Sequence, residues 1–368
     1  MHKICHLTSA HPRYEIRIFI KMCRSLAAAG HDVSLVVADG LSDETKDGVK
    51  IYGVKEEKNR LLRIIKAPRR AYKKALLLNA DIFHLHDPEL LPIGLKLKKK
   101  GGKVIFDSHE DYPSQILYKP YMNKYLLKII GKIYEIYEKK TLKKYDCIIS
   151  AAPFISDRIS KWHPSVIEIY NHPLLEEFSH VERKPIQKED IPAVCYVGGI
   201  TEIRGVKEMV KAIELCNNNV RLKLAGTFAP ASLRDETIKI KGWKKTEEFG
   251  FIDRENIQKI LSASIAGLVV LWPTHNDMNS LPIKMFEYMA AGLPVIASNF
   301  PVYKEIVEGN RCGICVDPLK PEEIAQAIDF IVNNSEQTIE MGKNGIKAVN
   351  EKYNWNIEKE KLLNIFKL

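Results

Sequence analysis

Short apolar runs alternate with amphipathic stretches along almost the whole chain. Lys3–Leu7 reads as a strand, Ile16–Ala29 as a helix closed by Gly30, and Asp32–Ala38 as a second strand. Asp81–His86 is a predicted strand, Glu89–Lys100 a helix and Lys103–Asp107 a strand, followed by a loop over 108–113. A helical region runs from about Tyr121 to Lys144, and Cys147–Ser150 is another strand. Continuous apolar strands between helices are what a parallel sheet covered on both faces requires. Residues 171–192 are polar and marked by prolines, and read as a linker. The alternation then restarts with a strand at Ala193–Val197, a helix at Gly205–Leu215 and a strand at Val220–Ala225. Next come a helix at Asn256–Ser262 and a strand at Ile265–Leu271. Gly313–Val316 is a strand, Pro321–Val332 a helix, and two further helices finish the chain. At 368 residues two domains are the default. The predicted class is α/β, with two doubly wound Rossmann-like domains facing across a cleft. In such sheets ligands bind beyond the carboxyl ends of the strands.

Composition narrows the choice of chemistry. No apolar run is long enough to span a bilayer, and the segment Met1–Leu7 is too short and polar for a signal peptide. The seven cysteines are scattered through apolar runs, which suggests reduced thiols in a cytosolic protein. Cys312 and Cys315 form a C-x-x-C without a second pair or a histidine set, so no zinc or redox centre is read from them. The net charge of +10 lies entirely in residues 1–180, which hold 31 Lys and Arg against 21 Asp and Glu. Two segments concentrate it. One runs from Lys58 to Lys74 and includes Arg60, Arg63, Arg69 and Arg70; the other runs from Tyr118 to Tyr145. Both have the pattern of basic amphipathic helices, which suit an anionic membrane surface better than a plain solvated face. No nucleic-acid recognition motif accompanies them, so nucleic acid is not an expected partner.

The segment from Asn279 to Ile296 carries the sharpest chemical signal. Ser280 can cap a helix, Pro282 is tolerated in its first turn, and Gly292 ends it before the strand at Pro294–Ser298. Ser280, Lys284 and Glu287 share one helix face. A carboxylate set between Phe286 and Tyr288 needs a partner. A sugar or ribose diol would supply one, and so would a plain ion pair with Lys284. The helix start suits a diphosphate. Gly198, Gly199, Arg204 and Gly205 follow a strand and open a helix, with glycines for close backbone approach and an arginine for phosphate. There is no G-x-G-x-x-G and no Walker loop. His84 and His86 fall on one strand face next to Asp87, but a core or loop-capping role is favoured over a metal site for want of further ligands.

Together these residues resemble a retaining, nucleotide-sugar-dependent glycosyltransferase of family 4 with the GT-B fold, and the resemblance covers nearly the whole chain. The family signature is a glutamate, seven residues and a second glutamate, with an Ala-Met-Ala-x-Gly-x-Pro-Val-like tail. Phe286 to Val295 matches its second half. The resemblance implies that Glu287 holds the ribose of the donor nucleotide. The first glutamate falls on Asn279, an amide that can bond a sugar hydroxyl but carries no charge. The family's phosphate-clamping Arg and Lys fall on Gly199 and Arg204, and helical spacing lets Lys284 replace the missing cation. Backbone N–H groups near Ser280 and Leu281 complete the phosphate site. Gly250, Phe251 and Ile252 resemble the base-binding segment. His109 matches the cleft histidine that contacts the donor sugar, while His11, Arg13 and Arg17 lie in the first strand-to-helix loop as acceptor-side candidates. The implied domains are 1–175 on the acceptor side and 176–350 on the donor side, with the terminal helix 351–368 packing back on the first.

The expected activity is transfer of a sugar, from a UDP-sugar, to a hydroxyl of a lipid-linked or growing bacterial surface polysaccharide. The leaving phosphate would take the acceptor proton, with His109, Asn279, Arg204 and Lys284 as the catalytic set. No metal and no other cofactor is expected, because no Asp-x-Asp stands at a strand end. Expected partners are the nucleotide-sugar donor, a glycan or lipid-linked acceptor and an anionic membrane surface, placing the chain on the inner face of the cytoplasmic membrane. Two rivals stand beside this reading. One is a sugar-nucleotide epimerase, and the other a catalytically silent component of a polysaccharide assembly complex.

Overall fold

The computed structural model describes residues 1–117, 123–178, 181 and 191–367. Contacts divide the chain into one unit of Met1–Asn171 with Asn356–Leu368, and a second of His172–Trp355. The strands of the first unit are β1 (Lys3–Thr8), β2 (Asp32–Val37), β3 (Glu44–Lys46), β4 (Val49–Gly53), β5 (Ile82–Leu85), β6 (Lys103–Ser108), β7 (Cys147–Ser150) and β8 (Val166–Glu168). They form one sheet in the order β3-β4-β2-β1-β5-β6-β7-β8, parallel except for the β3–β4 pair.

The predicted strands β1, β2, β5, β6 and β7 are present. The β3–β4 hairpin was not foreseen, although Asp47-Gly48, both at positive φ, is the Asp-Gly signal of a two-residue turn. The helix expected over Ile16–Ala29 is wound in two ways. Ile16–Cys23 is π-helical, with Ile20 N–H donating to Glu15 O at 3.2 Å, and Arg24–Ala28 is an α turn. The wide turns bury Arg17 and Lys21 on one face. This unit has two long helices, Arg60–Leu77 and Lys124–Leu142, the second preceded by a shorter one at Tyr112–Leu117 within the expected loop and connection.

The second unit holds β9 (Ala193–Val197), β10 (Arg221–Ala225), β11 (Thr246–Gly250), β12 (Ala266–Val269), β13 (Val295–Ser298) and β14 (Gly313–Val316). All are parallel, in the order β11-β10-β9-β12-β13-β14. Alternate residues feed two cores. Val194, Tyr196, Leu224 and Leu268 face the helices Val206–Leu215 and Pro321–Asn333, while Cys195, Val197, Val269 and Val295 face the helix Ile283–Ala290. In both units chain order reverses beside the first strand, between β1 and β5 and between β9 and β12. Loops part there at the carboxyl ends of the strands, which leaves a crevice for a ligand. The expected linker 171–192 is described only in part: it contains the single turn Leu175–Glu177, and most of 179–190 lies outside the described residues. All seven cysteines are free thiols, six of them buried.

Candidate active site

Glycines shape the loop after β9. Gly198 has φ of +127° and Gly226, after β10, has +150°. A Cβ on Gly226 would stand 1.9 Å from the Gly198 carbonyl oxygen, so these two strand ends approach as only glycine allows. Two tyrosines fix the turn. The Val197 N–H donates to the Tyr288 hydroxyl at 2.9 Å, and the Tyr196 hydroxyl donates to Gly199 O at 2.7 Å.

Lys284 enters this turn from the helix Ile283–Ala290. It is 8% exposed, and its Nζ lies 3.6 Å from the centre of the Tyr196 ring. Nζ has no hydrogen-bond partner among the described residues. A Cβ added to Gly198 would come 2.9 Å from Nζ, so the amine faces the glycine turn directly. Burial first, and then the positive charge of Arg204, push the amine's pKa well below its ordinary value. Arg204 ends the short turn Glu202–Arg204, and its charge also acts on Tyr196 and Asp277.

Glu287 is on the same helix as Lys284 but bonds elsewhere. Its Oε1 accepts from Arg254 Nη1 at 2.8 Å, and the other side of that guanidinium pairs with Glu177. The plain Lys284–Glu287 ion pair is therefore not made. Like charges gathered on a glycine turn, with one buried amine unsatisfied, form an arrangement that a bound anion completes.

The start of this helix differs from the sequence expectation. Ser280 does not cap it. Pro282, with ψ of 123°, occupies the cap position, and the helix begins at Ile283. Ser280 instead ends a separate short helix, His275–Asn279, and its hydroxyl donates to Asp277 O at 3.1 Å and meets the Tyr303 hydroxyl. The cause is local: Pro282 is held extended, so the chain cannot be helical from Ser280 onward. Asn279 is half-buried with its amide donating to His275 O at 2.9 Å. Leu281 and Ile252 pack at the edge of the core, Gly250 ends β11 at φ +65°, and Phe251 is 87% exposed.

In the N-terminal unit Arg13 and Arg17 lie inside the fold. Arg13 is buried and bonds Asp39 at 2.7 Å and Glu44 at 2.6 Å. Arg17 is buried with two bonds to Asp107 at 2.8 and 2.7 Å. Both guanidinium groups pair with carboxylates inside the fold, and Arg17 Nη1 has no partner among the described residues. His11 and His109 remain partly open, and their rings meet edge to face at 5.0 Å. His11 Nδ1 lies 2.8 Å from Asp87 Oδ1. Burial opposes protonation of His11, but the hydrogen bond and charge of Asp87 outweigh it and raise the pKa.

Comparison with known proteins decides the family. Residues 17–171 match "Glycosyltransferase Family 4" and residues 179–348 match "Glycosyl transferases group 1". The chain is a family 4 glycosyltransferase of the GT-B fold. It is 27% identical over 238 residues to an uncharacterized glycosyltransferase of Methanocaldococcus jannaschii, covering 62% of this chain and 58% of that one. It is 25% identical over 183 residues to the alpha-D-kanosaminyltransferase of Streptomyces kanamyceticus, covering 49% and 46%. The matched stretch thus spans about half the length of these curated relatives.

Solved structures share the fold across the chain. Sucrose-phosphate synthase from Thermosynechococcus elongatus superposes with a TM-score of 0.80 at 18% identity, over 100% of this chain and 98% of that one. HepE of Anabaena, solved with UDP and glucose, gives 0.74 at 12% identity over 100% of both. WaaG, a glycosyltransferase involved in lipopolysaccharide biosynthesis, gives 0.73 at 12% identity over 98% of both.

In this glycosyltransferase Arg254 is the residue that sequence reasoning missed. It opens the helix Arg254–Ser262 just after the Gly250–Ile252 segment and is capped by Asp253. Its position there was the available signal, but its partner Glu287 is 33 residues away.

Proposed function

We propose that the chain transfers a sugar from a nucleoside diphosphate sugar, a UDP-sugar, to a hydroxyl of a lipid-linked or growing surface glycan, with retention of configuration. The observation that carries this reading is the buried, unpartnered Lys284 amine facing the Gly198–Gly199 turn, with the charge of Arg204 beside it. A diphosphate satisfies both cations and the free N–H groups at the start of the Ile283–Ala290 helix. The same groups stabilise it as it leaves, which is where negative charge grows in the transition state. In this reading they meet the diphosphate charge without a metal.

Glu287, oriented by Arg254, takes the ribose hydroxyls. Gly250, exposed Phe251 and Ile252 receive the base, and Asn279 contacts the sugar. The UDP bound to HepE and the lipopolysaccharide role of WaaG support the choice of donor and acceptor class.

Thermal unfolding with UDP, GDP, ADP and their sugar conjugates tests the reading. A ligand at 100 times its dissociation constant adds about 2.7 kcal/mol, so UDP and one UDP-sugar should raise the midpoint clearly. No shift with any nucleotide would overturn the donor site and favour a silent family member. Conversion of the sugar nucleotide without acceptor would instead make the protein an epimerase.

The membrane partner has its best support on the helix Lys124–Leu142. Leu126, Ile129, Ile133 and Ile136 are exposed along one face, with Lys128, Lys139 and Lys140 exposed beside them. Such a stripe suits the interface of an anionic bilayer. The arginines of the helix Arg60–Leu77 are weaker candidates, because Arg63 pairs with Glu89 and Arg70 with Glu57. No helix among the described residues is long and apolar enough to cross a membrane. The triple variant Ile129→Ser, Ile133→Ser, Ile136→Ser should lower sedimentation with phosphatidylglycerol vesicles at least tenfold, since each loses about 1 kcal/mol or more of apolar burial. Unchanged sedimentation of a folded variant would remove this helix as the docking face.

A further inference from the structure

Three histidines in the N-terminal unit play no part in the donor site. His6 on β1 and His84 on β5 stand in direct register, and His86 follows just beyond β5 on the same face. All three are fully buried. Their ring centroids are 4.6 Å apart for His6 and His84, 4.4 Å for His84 and His86, and 5.2 Å for His6 and His86. One ring nitrogen from each lies within 4.8 Å of the others.

The hydrogen bonds among them do not close. His86 Nδ1 is 3.1 Å from Asp107 Oδ2, and His86 Nε2 is 2.9 Å from His6 Nδ1. Both oxygens of Asp107 accept from Arg17, so the carboxylate stands as an acceptor toward His86. His86 must therefore carry its proton on Nδ1, leaving the Nε2 lone pair turned into the cluster. Beyond this chain, both nitrogens of His84 and Nε2 of His6 have no partner among the described residues. Every neutral imidazole has one N–H and one lone pair, so His84 leaves a donor and an acceptor unsatisfied in the core. That is costly unless something else is bound.

We infer that His6, His84 and His86 form a binding site for a first-row divalent transition metal, zinc above all. Three neutral imidazoles with one carboxylate behind them are the donor set such ions take. The bond from His86 Nδ1 to Asp107 is the outer contact that fixes a ligating histidine's tautomer and ring. Zinc–nitrogen bonds of about 2.1 Å need nitrogens about 3.4 Å apart, which small ring rotations supply. Phe366, in the C-terminal segment that belongs to this unit, lies 6.3 Å from His84 ring to ring and helps cover the cluster. The ion therefore enters as the chain folds, and it staples β1 to β5 at the switch point of the sheet.

The test is made on the full chain without an affinity tag. After purification, elemental analysis should find about one zinc per chain. Refolding with Co2+ in its place should give a visible absorption band of a nitrogen-ligated ion at one equivalent. His84→Gln and His86→Gln should each lose that band and at least tenfold in affinity, while His163→Gln, a histidine outside the cluster, should retain both. A wild type that holds no zinc and shows no Co2+ band after refolding would overturn the assignment. So would binding that survives in folded His84→Gln and His86→Gln.

Discussion

Lys284→Met should raise the thermal midpoint of the ligand-free protein and abolish the shift produced by UDP. The amine sits in the core with no partner, so replacing it with an apolar side chain of similar length removes a cost of about 1–3 kcal/mol. The sign with pH follows from linkage. The folded amine has a depressed pKa, so below the unfolded value of 10.5 the unfolded chain binds the proton more readily. The wild type therefore loses stability as pH falls from 10.5, and the loss levels off only below the folded pKa. The methionine variant has no such term, so its advantage in midpoint should widen from pH 10.5 toward neutrality.

Ligand binding reverses the balance. A diphosphate beside Lys284 restores its proton and its partner, so binding takes up protons and weakens as pH rises. Losing one charge-assisted contact to the diphosphate should cost about 2.7–4 kcal/mol, or 10²- to 10³-fold in kcat/KM. Differential scanning fluorimetry and calorimetry in two buffers of different ionisation enthalpy read all of this. A less stable variant that still responds fully to UDP would show Lys284 to be structural.

Glu287→Ala should leave the protein folded and lower kcat/KM by about 10²- to 10⁴-fold. Two ribose hydroxyls bonded to a carboxylate are worth about 1.5–3 kcal/mol each. The fold survives because Arg254, 37% exposed in its side chain, keeps its pairing with Glu177 and its access to water. Glu177→Ala is the control. It removes the other half of the same arginine's pairing without touching the ribose, and should cost less than about tenfold. Equal losses in the two variants would mean that the triad is a structural clasp. Near-normal activity of Glu287→Ala would refute the ribose assignment.

Much of the fold was legible. Continuous apolar runs marked β1, β2, β5, β6 and β7, and in the second unit β9, β10, β12, β13 and β14, because a sheet buried on both faces leaves little choice of residue; β11, Thr-Glu-Glu-Phe-Gly and half exposed, carries no such run. Gly292 was read as the end of its helix and does close it, at φ +71° with the Leu293 N–H returning to Tyr288 O. The failures were of two kinds. Short edge strands such as β3 and β8 carry too few apolar residues to show a period. At Ser280 two valid signals competed, a capping serine and a proline two residues on, and the extended backbone at Pro282 decided between them.

The site divides along the same line. Sequence placed Lys284 and Glu287 on one helix face and a glycine turn after a strand, since helical spacing and glycine's freedom are local properties. It could not say whom each would meet. Lys284 was matched with Glu287 or with phosphate; the fold gives Glu287 to Arg254 and sets the amine between a tyrosine ring and a glycine turn. Arg13 and Arg17 looked available beside a strand end, yet Asp39 and Asp107 had already claimed them from 26 and 90 residues away. His6 looked like an ordinary strand residue until register set it against His84. By itself, then, the sequence determined the order of strands and helices and the family, because both are written in neighbouring residues. Only the tertiary structure decided which charges are neutralised and which are left unsatisfied. That depends on partners brought together by folding, and no local pattern records them.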